Sequence, residues 1–242
     1  MALPLVVTPE YKCIIPSTNQ EIVYRPFLIK EEKLLLMAAE SDDDNEQILA
    51  IAKILSQCIL TEGIEVGSLA PFDLEYLFLN IRAKSVGEIL ELKLRHFNPD
   101  GPSGTLESSC EHVTEYQLNL EDIAVPGPLP NNKIQLTDSL GIVLRFPTFQ
   151  DIAITEEDMN TELMFKLIGG CVEYVYDNEE VYNEFTNEEM LQWMENLGQT
   201  QFEKITNFFE DMPKVTHEIK WKCSACGRDD SLTVEGVQSF FT

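Results

Sequence analysis

The sequence predicts an α+β fold in which β-hairpin modules pack with a mainly helical remainder. Apolar residues recur at three- and four-residue spacing, as from Ile48 to Ile59, which is typical of amphipathic helices. Elsewhere apolar and polar residues alternate between turn residues, as in 88–97 and 113–120, which is typical of paired strands. With 242 residues, 44% of them hydrophobic, the chain is long enough to bury a sizeable core.

The two patterns assign most of the chain to elements. Hairpins are predicted for 11–15 with 21–27, 88–97 with 113–120, 133–136 with 141–146, and 215–223 with 232–234. Helices are predicted for 30–40, the segment around Ile48–Ile59, 72–84, 159–176, 187–197 and 199–210. Gly87 lies between the 72–84 helix and the strand that begins at Glu88, so we expect a positive φ there.

A stretch rich in Pro, Gly and Asn at 124–133 suggests a division of the chain. Residues 1–123 would hold the N-terminal hairpin, three helices and a first hairpin with a cysteine near its tip. Residues 124–242 would hold a hairpin, a helical region and a C-terminal hairpin with a Cys-x-x-Cys tip. A single compact unit is the alternative.

The net charge restricts the classes of partner. The chain has 17 Lys and Arg against 42 Asp and Glu, a formal charge of −25. Such a chain is poorly suited to nucleic acid or to an anionic membrane surface, which attract basic proteins. It favours a partner with basic patches. No uninterrupted apolar run approaches the roughly 18 residues that a membrane-spanning helix needs.

The sharpest local motif is the pair Cys223 and Cys226, followed by a glycine. Two thiolates at this spacing form half of a zinc-ribbon site. Cys110 and His112, near the tip of the first cysteine-bearing hairpin, are the candidates for the other two ligands. The sequence therefore predicts one structural zinc, with a metal-free hairpin as the alternative. A redox role is less favoured, because a strand precedes the motif where a redox pair usually opens a helix.

Two further pairs are candidates for contact with a partner. Phe240 and Phe241 are aromatic residues near the end of the printed sequence, and aromatic residues dominate interface hot spots. Core packing is the alternative for this pair. Arg82 and Lys84 lie at the helix-to-strand junction that ends in Glu88. For them the alternative is an intramolecular ion-pair cluster that orders the turn.

Catalytic motifs are missing from the sequence. We find no nucleophile elbow, P-loop, dinucleotide fingerprint or zinc-protease motif, and only three histidines. The sequence therefore predicts a protein that is not an enzyme.

Four segments of the chain carry a recognisable series of motifs. The end of Phe72–Glu88 has an Arg-x-Lys-Ser-x-Gly-Glu signature. Tyr24–Phe27 precedes it, and Gly141–Thr148 and the stretch from Cys223 to Phe241 follow it. In these motifs and their order the chain resembles the baseplate hub family of T-even-like contractile-tailed phages. The family pattern has a second Cys-x-x-Cys in the first cysteine-bearing hairpin, where this chain has only Cys110 and His112.

The resemblance implies a non-enzymatic structural or assembly protein of the tail baseplate hub. Its partners would be other hub proteins, the tail spike and the tape-measure protein, with no nucleic acid and no membrane insertion. The protein would act in the host cytoplasm during assembly and then lie in the baseplate of the virion tail. The alternative is a zinc-ribbon interaction module or an assembly chaperone absent from the mature particle.

Overall fold

The structure is a computed structural model, and it describes residues 7–40, 44–95, 112–123, 125, 127–153, 161–225 and 227–235. Over these residues it is an α+β protein with seven α-helices and ten strands, which confirms the predicted fold class. The helices are α1 Ile29–Ala39, α2 Asp44–Cys58, α3 Pro71–Val86, α4 Phe149–Ala153, α5 Thr161–Gly170, α6 Asn187–Glu195 and α7 Gln199–Glu210. The strands are β1 Tyr11–Ile14, β2 Glu21–Tyr24, β3 Ile89–Leu94, β4 Thr114–Asn119, β5 Lys133–Gln135, β6 Gly141–Leu144, β7 Val172–Tyr176, β8 Val181–Tyr182, β9 Thr216–Lys222 and β10 Asp229–Glu235.

Every strand pair in the described part of the chain is antiparallel. The pairs β1–β2, β3–β4 and β9–β10 each form a two-stranded sheet, and β5–β6–β7–β8 form a four-stranded sheet in that order. The four predicted hairpins are thus confirmed. Their registers pair Cys13 with Ile22, Leu90 with Leu118, and Ile219 with Leu232.

The chain divides into two compact units. The first unit contains Met1–Thr61, Glu75–Pro126 and Lys214–Thr242, and the second contains Glu62–Leu74 and Gly127–Pro213. The C-terminal hairpin β9–β10 therefore groups with the residues before Pro126.

In the first unit, β3–β4 and β9–β10 share one hydrophobic core with α3. Leu79 and Ala83 on α3 contribute the helix face, and Leu118 and Ile219 contribute the two sheets. Ile219 is fully buried and Leu118 is 2% exposed. The alternation of these strands explains the arrangement, because residues two apart lie on the same face of a strand.

In the second unit, the four-stranded sheet packs against α5, α6 and α7. Ile142 and Leu144 on β6 are fully buried, as is Ile205 on α7. Two aromatic pairs reinforce this core: Phe146 stacks on Phe208 with ring centroids 5.2 Å apart, and Phe165 on Phe202 at 4.7 Å.

The predicted helix 159–176 is wrong at its C-terminal end. The helix α5 ends at Gly170, and Val172–Tyr176 is the strand β7, hydrogen-bonded between β6 and β8. Gly169 and Gly170 weaken helix continuation, and the β-branched and aromatic residues that follow favour a strand. Residues 159 and 160 lie outside the described residues.

Both units contain the same hydrogen-bonded arrangement, which we call the arginine clamp. In the first unit, Arg25 follows β2 and its Nη2 donates to Glu31 Oε1 at 2.9 Å. The second oxygen of Glu31 accepts from the backbone N–H of Leu28, which precedes α1, at 2.7 Å. The backbone N–H of Arg25 donates to the carbonyl oxygen of Cys58 at 2.9 Å. The clamp thus joins the end of a strand, the start of α1 and the end of α2.

The second clamp has the same pattern of bonds, with an aspartate in place of the glutamate. Arg145 follows β6 and donates from Nη1 to Asp151 Oδ2 at 2.6 Å and from Nη2 to Oδ1 at 3.1 Å. The backbone N–H of Thr148 donates to Asp151 Oδ2 at 2.7 Å, and that of Arg145 donates to the carbonyl oxygen of Cys171 at 2.8 Å. In both clamps the carboxylate lies six residues after the arginine.

The second clamp gives the protein a pH-dependent stability. Burial raises the pKa of Asp151, but hydrogen bonds from Arg145 and Thr148 outweigh burial and lower the pKa to about 2 from an ordinary 3.8. A lowered carboxyl pKa stabilises the folded state above the unfolded-state pKa, and this stabilisation is lost as the pH falls through the folded-state pKa.

We therefore expect Asp151→Asn to remove a stabilisation of about 2 kcal/mol that is present above pH ~4 and vanishes near pH ~2. Each unit contains one of the two tryptophans, Trp193 in the second and Trp221 in the first. Urea unfolding in a Trp221→Phe background therefore monitors the second unit alone. If the stability difference between Asp151→Asn and its parent stayed constant from about pH 5 to about pH 2, this assignment would be contradicted.

The junction between α3 and β3 depends on backbone conformation. Gly87 has φ of +129°, as predicted, and a Cβ built there would meet no heavy atom within 4 Å. A side chain at this position is therefore strained by the backbone and not by its neighbours.

We expect Gly87→Val to lower the free energy of unfolding by about 1–3 kcal/mol and to reduce incorporation into the tail assembly that the sequence resemblance implies. The matched control is Lys93→Val, which introduces the same side chain at an exposed position of β3. Urea unfolding and a complementation assay measure the two effects. Equal stabilities and equal assembly yields for the two variants would show that the junction does not organise the hairpin.

Candidate functional site at the hairpin tips

The turn between β9 and β10 is closed by backbone hydrogen bonds around Cys223. The backbone N–H of Gly227 donates to the carbonyl oxygen of Cys223 at 2.8 Å. The backbone N–H of Cys223 donates to the carbonyl oxygen of Arg228, also at 2.8 Å. Gly227 has φ of +71°, a conformation that glycine adopts without strain. Cys223 is 1% exposed. The glycine after the Cys-x-x-Cys motif thus closes the turn.

One described residue of the first cysteine-bearing hairpin, His112, contacts this turn. His112, two residues before β4, has its Nε2 atom 2.7 Å from Ser224 Oγ. Ser224 lies inside the Cys-x-x-Cys motif, directly after Cys223. The structure therefore places the predicted ligand His112 in contact with the residue that follows another predicted ligand, Cys223.

The other predicted ligands, Cys110 and Cys226, lie outside the described residues, as do Phe240 and Phe241. Within the described part of the chain, no group of three or more His, Cys, Asp and Glu side chains has an arrangement that could hold a metal ion. Of the four proposed ligands the structure describes His112 and Cys223, whose residue types zinc binds, and the contact of His112 with Ser224 is the one observation that relates them.

Lys84 lies at the centre of an ion-pair cluster at the α3–β3 junction. Its Nζ atom lies 2.6 Å from Glu88 Oε1 and 2.6 Å from Glu121 Oε1. It also lies 5.7 Å from the ring centroid of Tyr11. The hydrogen bonds that Lys84 donates to Glu121 and Glu88 raise its pKa. The cluster connects the end of α3 to the residues that follow β4, so it fixes the direction in which the hairpin leaves the helix.

Arg82, the other basic residue at the junction, is partly buried, and burial lowers its pKa. Its neighbour Ser85 accepts a hydrogen bond from the backbone N–H of Phe27 at 2.8 Å. The Arg-x-Lys-Ser signature therefore contains two residues, Lys84 and Ser85, that make contacts within the first unit. A role for Arg82 and Lys84 in partner binding stays a prediction.

Three buried cysteines are poorly suited to thiol chemistry. Burial raises the pKa of Cys13 and of Cys58 to about 11, and that of Cys171 to about 12. The reactive form of cysteine is the thiolate, which these values disfavour near neutral pH. These side chains serve as small core residues.

A model of the family described as T4 bacteriophage base plate protein matches residues 8–242. The chain belongs to this family. The match spans residues of both units, and it confirms the resemblance to baseplate proteins, although the description names no subassembly of the baseplate. Comparison with curated proteins gave no significant match, and comparison with solved structures gave none either.

Membership of the family gives the protein a structural role in the baseplate and implies interaction with other tail components. Among the described residues, no helix is both long enough and apolar enough to cross a membrane.

The two arginine clamps were not predicted from the sequence. The signal was present, since Arg25 and Arg145 each follow an apolar strand and precede an acidic residue by six positions. A cysteine that is buried in the structure also occurs later in the chain for each arginine, Cys58 for Arg25 and Cys171 for Arg145. Neither feature is distinctive until the strands and helices are in place.

Proposed function

We propose that the protein is a non-enzymatic component of the baseplate hub and binds other hub, spike or tape-measure proteins. The observation that carries this proposal is the family match over residues 8–242. The raised pKa values of Cys13, Cys58 and Cys171 support a structural role over thiol chemistry at these residues. The charge of −25 supports protein partners over nucleic acid.

We expect the chain to co-purify with hub or tape-measure proteins from infected cells, because an acidic protein of this family should associate with other tail components. Mass spectrometry of purified particles then separates a resident subunit from an assembly chaperone. A chaperone would be present in assembly intermediates and absent from particles. Tight, salt-sensitive binding to DNA, without tail proteins, would contradict the proposal.

We further propose that the two hairpin tips hold one structural zinc ion, bound by Cys223, Cys226, Cys110 and His112. Support comes from the 2.7 Å contact between His112 and Ser224 and from the turn geometry at Gly227. The ion would join the two hairpins near the turn that follows β9. The site has no catalytic role in this proposal.

We expect one zinc per chain in protein purified without chelators, and loss of that zinc in Cys223→Ser. Because structural zinc binding is coupled to folding, the same change should destabilise the first unit. Cys13→Ser is the matched control, since it alters another buried cysteine of the first unit that is not a proposed ligand. Elemental analysis that finds no zinc in the wild type, or equal zinc in both variants, would reject the site.

A further inference from the structure

The four-stranded sheet of the second unit exposes its last strand, β8. Val181 and Tyr182, which form β8, are 60% and 45% exposed. On one side β8 pairs with β7, where Val181 lies opposite Tyr176 and Tyr182 lies opposite Val175. In the described part of the chain, no strand pairs with the other side of β8. We call this other side the β8 edge.

The backbone of Val181 directs its hydrogen-bonding groups to the β8 edge. The backbone N–H of Asp177 donates to the carbonyl oxygen of Glu180 at 3.0 Å, so these two residues are a bonded pair. Opposed residues of an antiparallel pair alternate between bonded and non-bonded pairs. The next pair, Tyr176 with Val181, is therefore non-bonded, and the N–H and C=O of Val181 point away from β7.

The opposite edge of the same sheet is covered by a lysine. Lys204 on α7 donates from Nζ to the carbonyl oxygens of Gln135 and Leu136, at 2.8 and 3.2 Å, along the outer side of β5. Among the described residues, none makes a comparable hydrogen bond to the backbone of Val181. An uncovered strand edge is a template for another strand. The β8 edge is therefore the edge at which this sheet can be extended.

The carboxylates near the β8 edge are all within the described part of the chain. Residues 167–203 include nine carboxylates and no lysine or arginine, and the structure describes every one of these residues. Glu179 and Glu180, before β8, and Glu184, after it, are exposed. The surface beside the exposed Val181 side chain is therefore negatively charged.

The basic residues of the second unit do not neutralise this surface. The unit has four of them, and none lies between β7 and α6. Each has a contact of its own: Lys133 with the ring of Tyr176, Arg145 with Asp151, Lys166 with Glu162, and Lys204 with the carbonyl oxygens of β5. The hydroxyl of Tyr176 donates to Gln135 Oε1 at 3.0 Å, so this ring extends from β7 towards β5 and away from β8.

We propose that the β8 edge binds an extended basic segment of another baseplate protein by strand addition, an inference that rests on the proposed baseplate function. A strand beside β8 would bond to the backbone of Val181 and cover its side chain, and both contacts are favourable. Lysine or arginine on that strand would lie near Glu179, Glu180 and Glu184. The same carboxylates oppose pairing between two copies of this chain, because like charges on paired strands are destabilising.

Cross-linking identifies the segment that binds. A photo-cross-linking amino acid replaces Val181 in the full chain, and the probes are the other baseplate proteins of the same phage, each purified. The control position is Lys133, which is exposed on β5 at the covered edge. Because successive side chains of a strand point to opposite faces, we expect position 181, and not position 133, to cross-link to a segment in which lysine or arginine alternates with apolar residues.

A proline variant separates strand addition from contact between side chains. Val181→Pro removes the outward N–H and keeps an apolar side chain, and proline is tolerated on an edge strand where the N–H faces solvent. The matched control, Val181→Thr, keeps the N–H and the shape of the side chain. We expect Val181→Pro to weaken binding of the cross-linked partner by at least about tenfold, and Val181→Thr by less than about threefold.

A charge variant tests the edge without altering the backbone of β8. We expect Glu184→Lys to weaken binding by at least about tenfold and to make it less sensitive to salt. The matched control, Glu203→Lys, makes the same change at an exposed position of α7, beside the lysine that covers β5, and should leave binding unchanged. Thermal unfolding followed by circular dichroism checks that all variants remain folded.

Several results would overturn the assignment of the β8 edge. They are a cross-link from position 181 to a second copy of this chain, a cross-link to an acidic or uncharged segment, binding of baseplate proteins without a cross-link from position 181, and binding that either Val181→Pro or Glu184→Lys leaves unchanged. Each leaves the baseplate function standing if the chain still enters baseplates. Failure to associate with any baseplate protein would instead contradict the proposed function, and the assignment of the β8 edge with it.

Discussion

The buried ion pair of Arg25 and Glu31 is the interaction on which the first unit depends most. The Glu31 side chain is fully buried and that of Arg25 is 11% exposed. Burial would raise the pKa of Glu31, but hydrogen bonds from Arg25, the Leu28 backbone and Lys30 outweigh it and lower the pKa. The carboxylate is therefore retained in its charged form inside the protein, which is favourable only while these donors stay in place.

An arginine clamp sets the path of the chain in each unit. A clamp fixes where a strand ends, where the next helix begins and which later segment returns to the strand. In the first unit the returning segment is the end of α2, and in the second it is the residue before β7. The second pair is more accessible, with side-chain exposures of 34% for Arg145 and 24% for Asp151. Water can therefore solvate Arg145 and Asp151 in part when their ion pair is broken. We expect the second clamp to contribute less to the free energy of unfolding than the first.

Local patterns predicted the hairpins and most helices because alternation and helical spacing are properties of short segments. The strand β7 has local signals of its own, two glycines before it and β-branched and aromatic residues within it, but apolar spacing continues across the end of α5 and hides the boundary. Pairing with β6 and β8 decides that Val172–Tyr176 is a strand. The clamps were missed for a related reason. Arg25 and Cys58 are 33 residues apart, and only the fold brings the arginine N–H to the cysteine carbonyl. At the candidate site, the motif around Cys223 indicated the turn, but its contact with His112 depends on the shared core of two hairpins.

The most direct test of the clamp is the free energy of unfolding of Arg25→Met, measured by urea in a Trp193→Phe background so that Trp221 monitors the first unit. Because the change leaves a buried carboxylate without its main partner, we expect a loss of about 3–5 kcal/mol, recovered in large part by the double change Arg25→Met with Glu31→Met. The control is Lys12→Met, which removes the exposed pair of Lys12 with Glu21. If Arg25→Met proved no more costly than Lys12→Met, the clamp would not be the constraint that organises the fold.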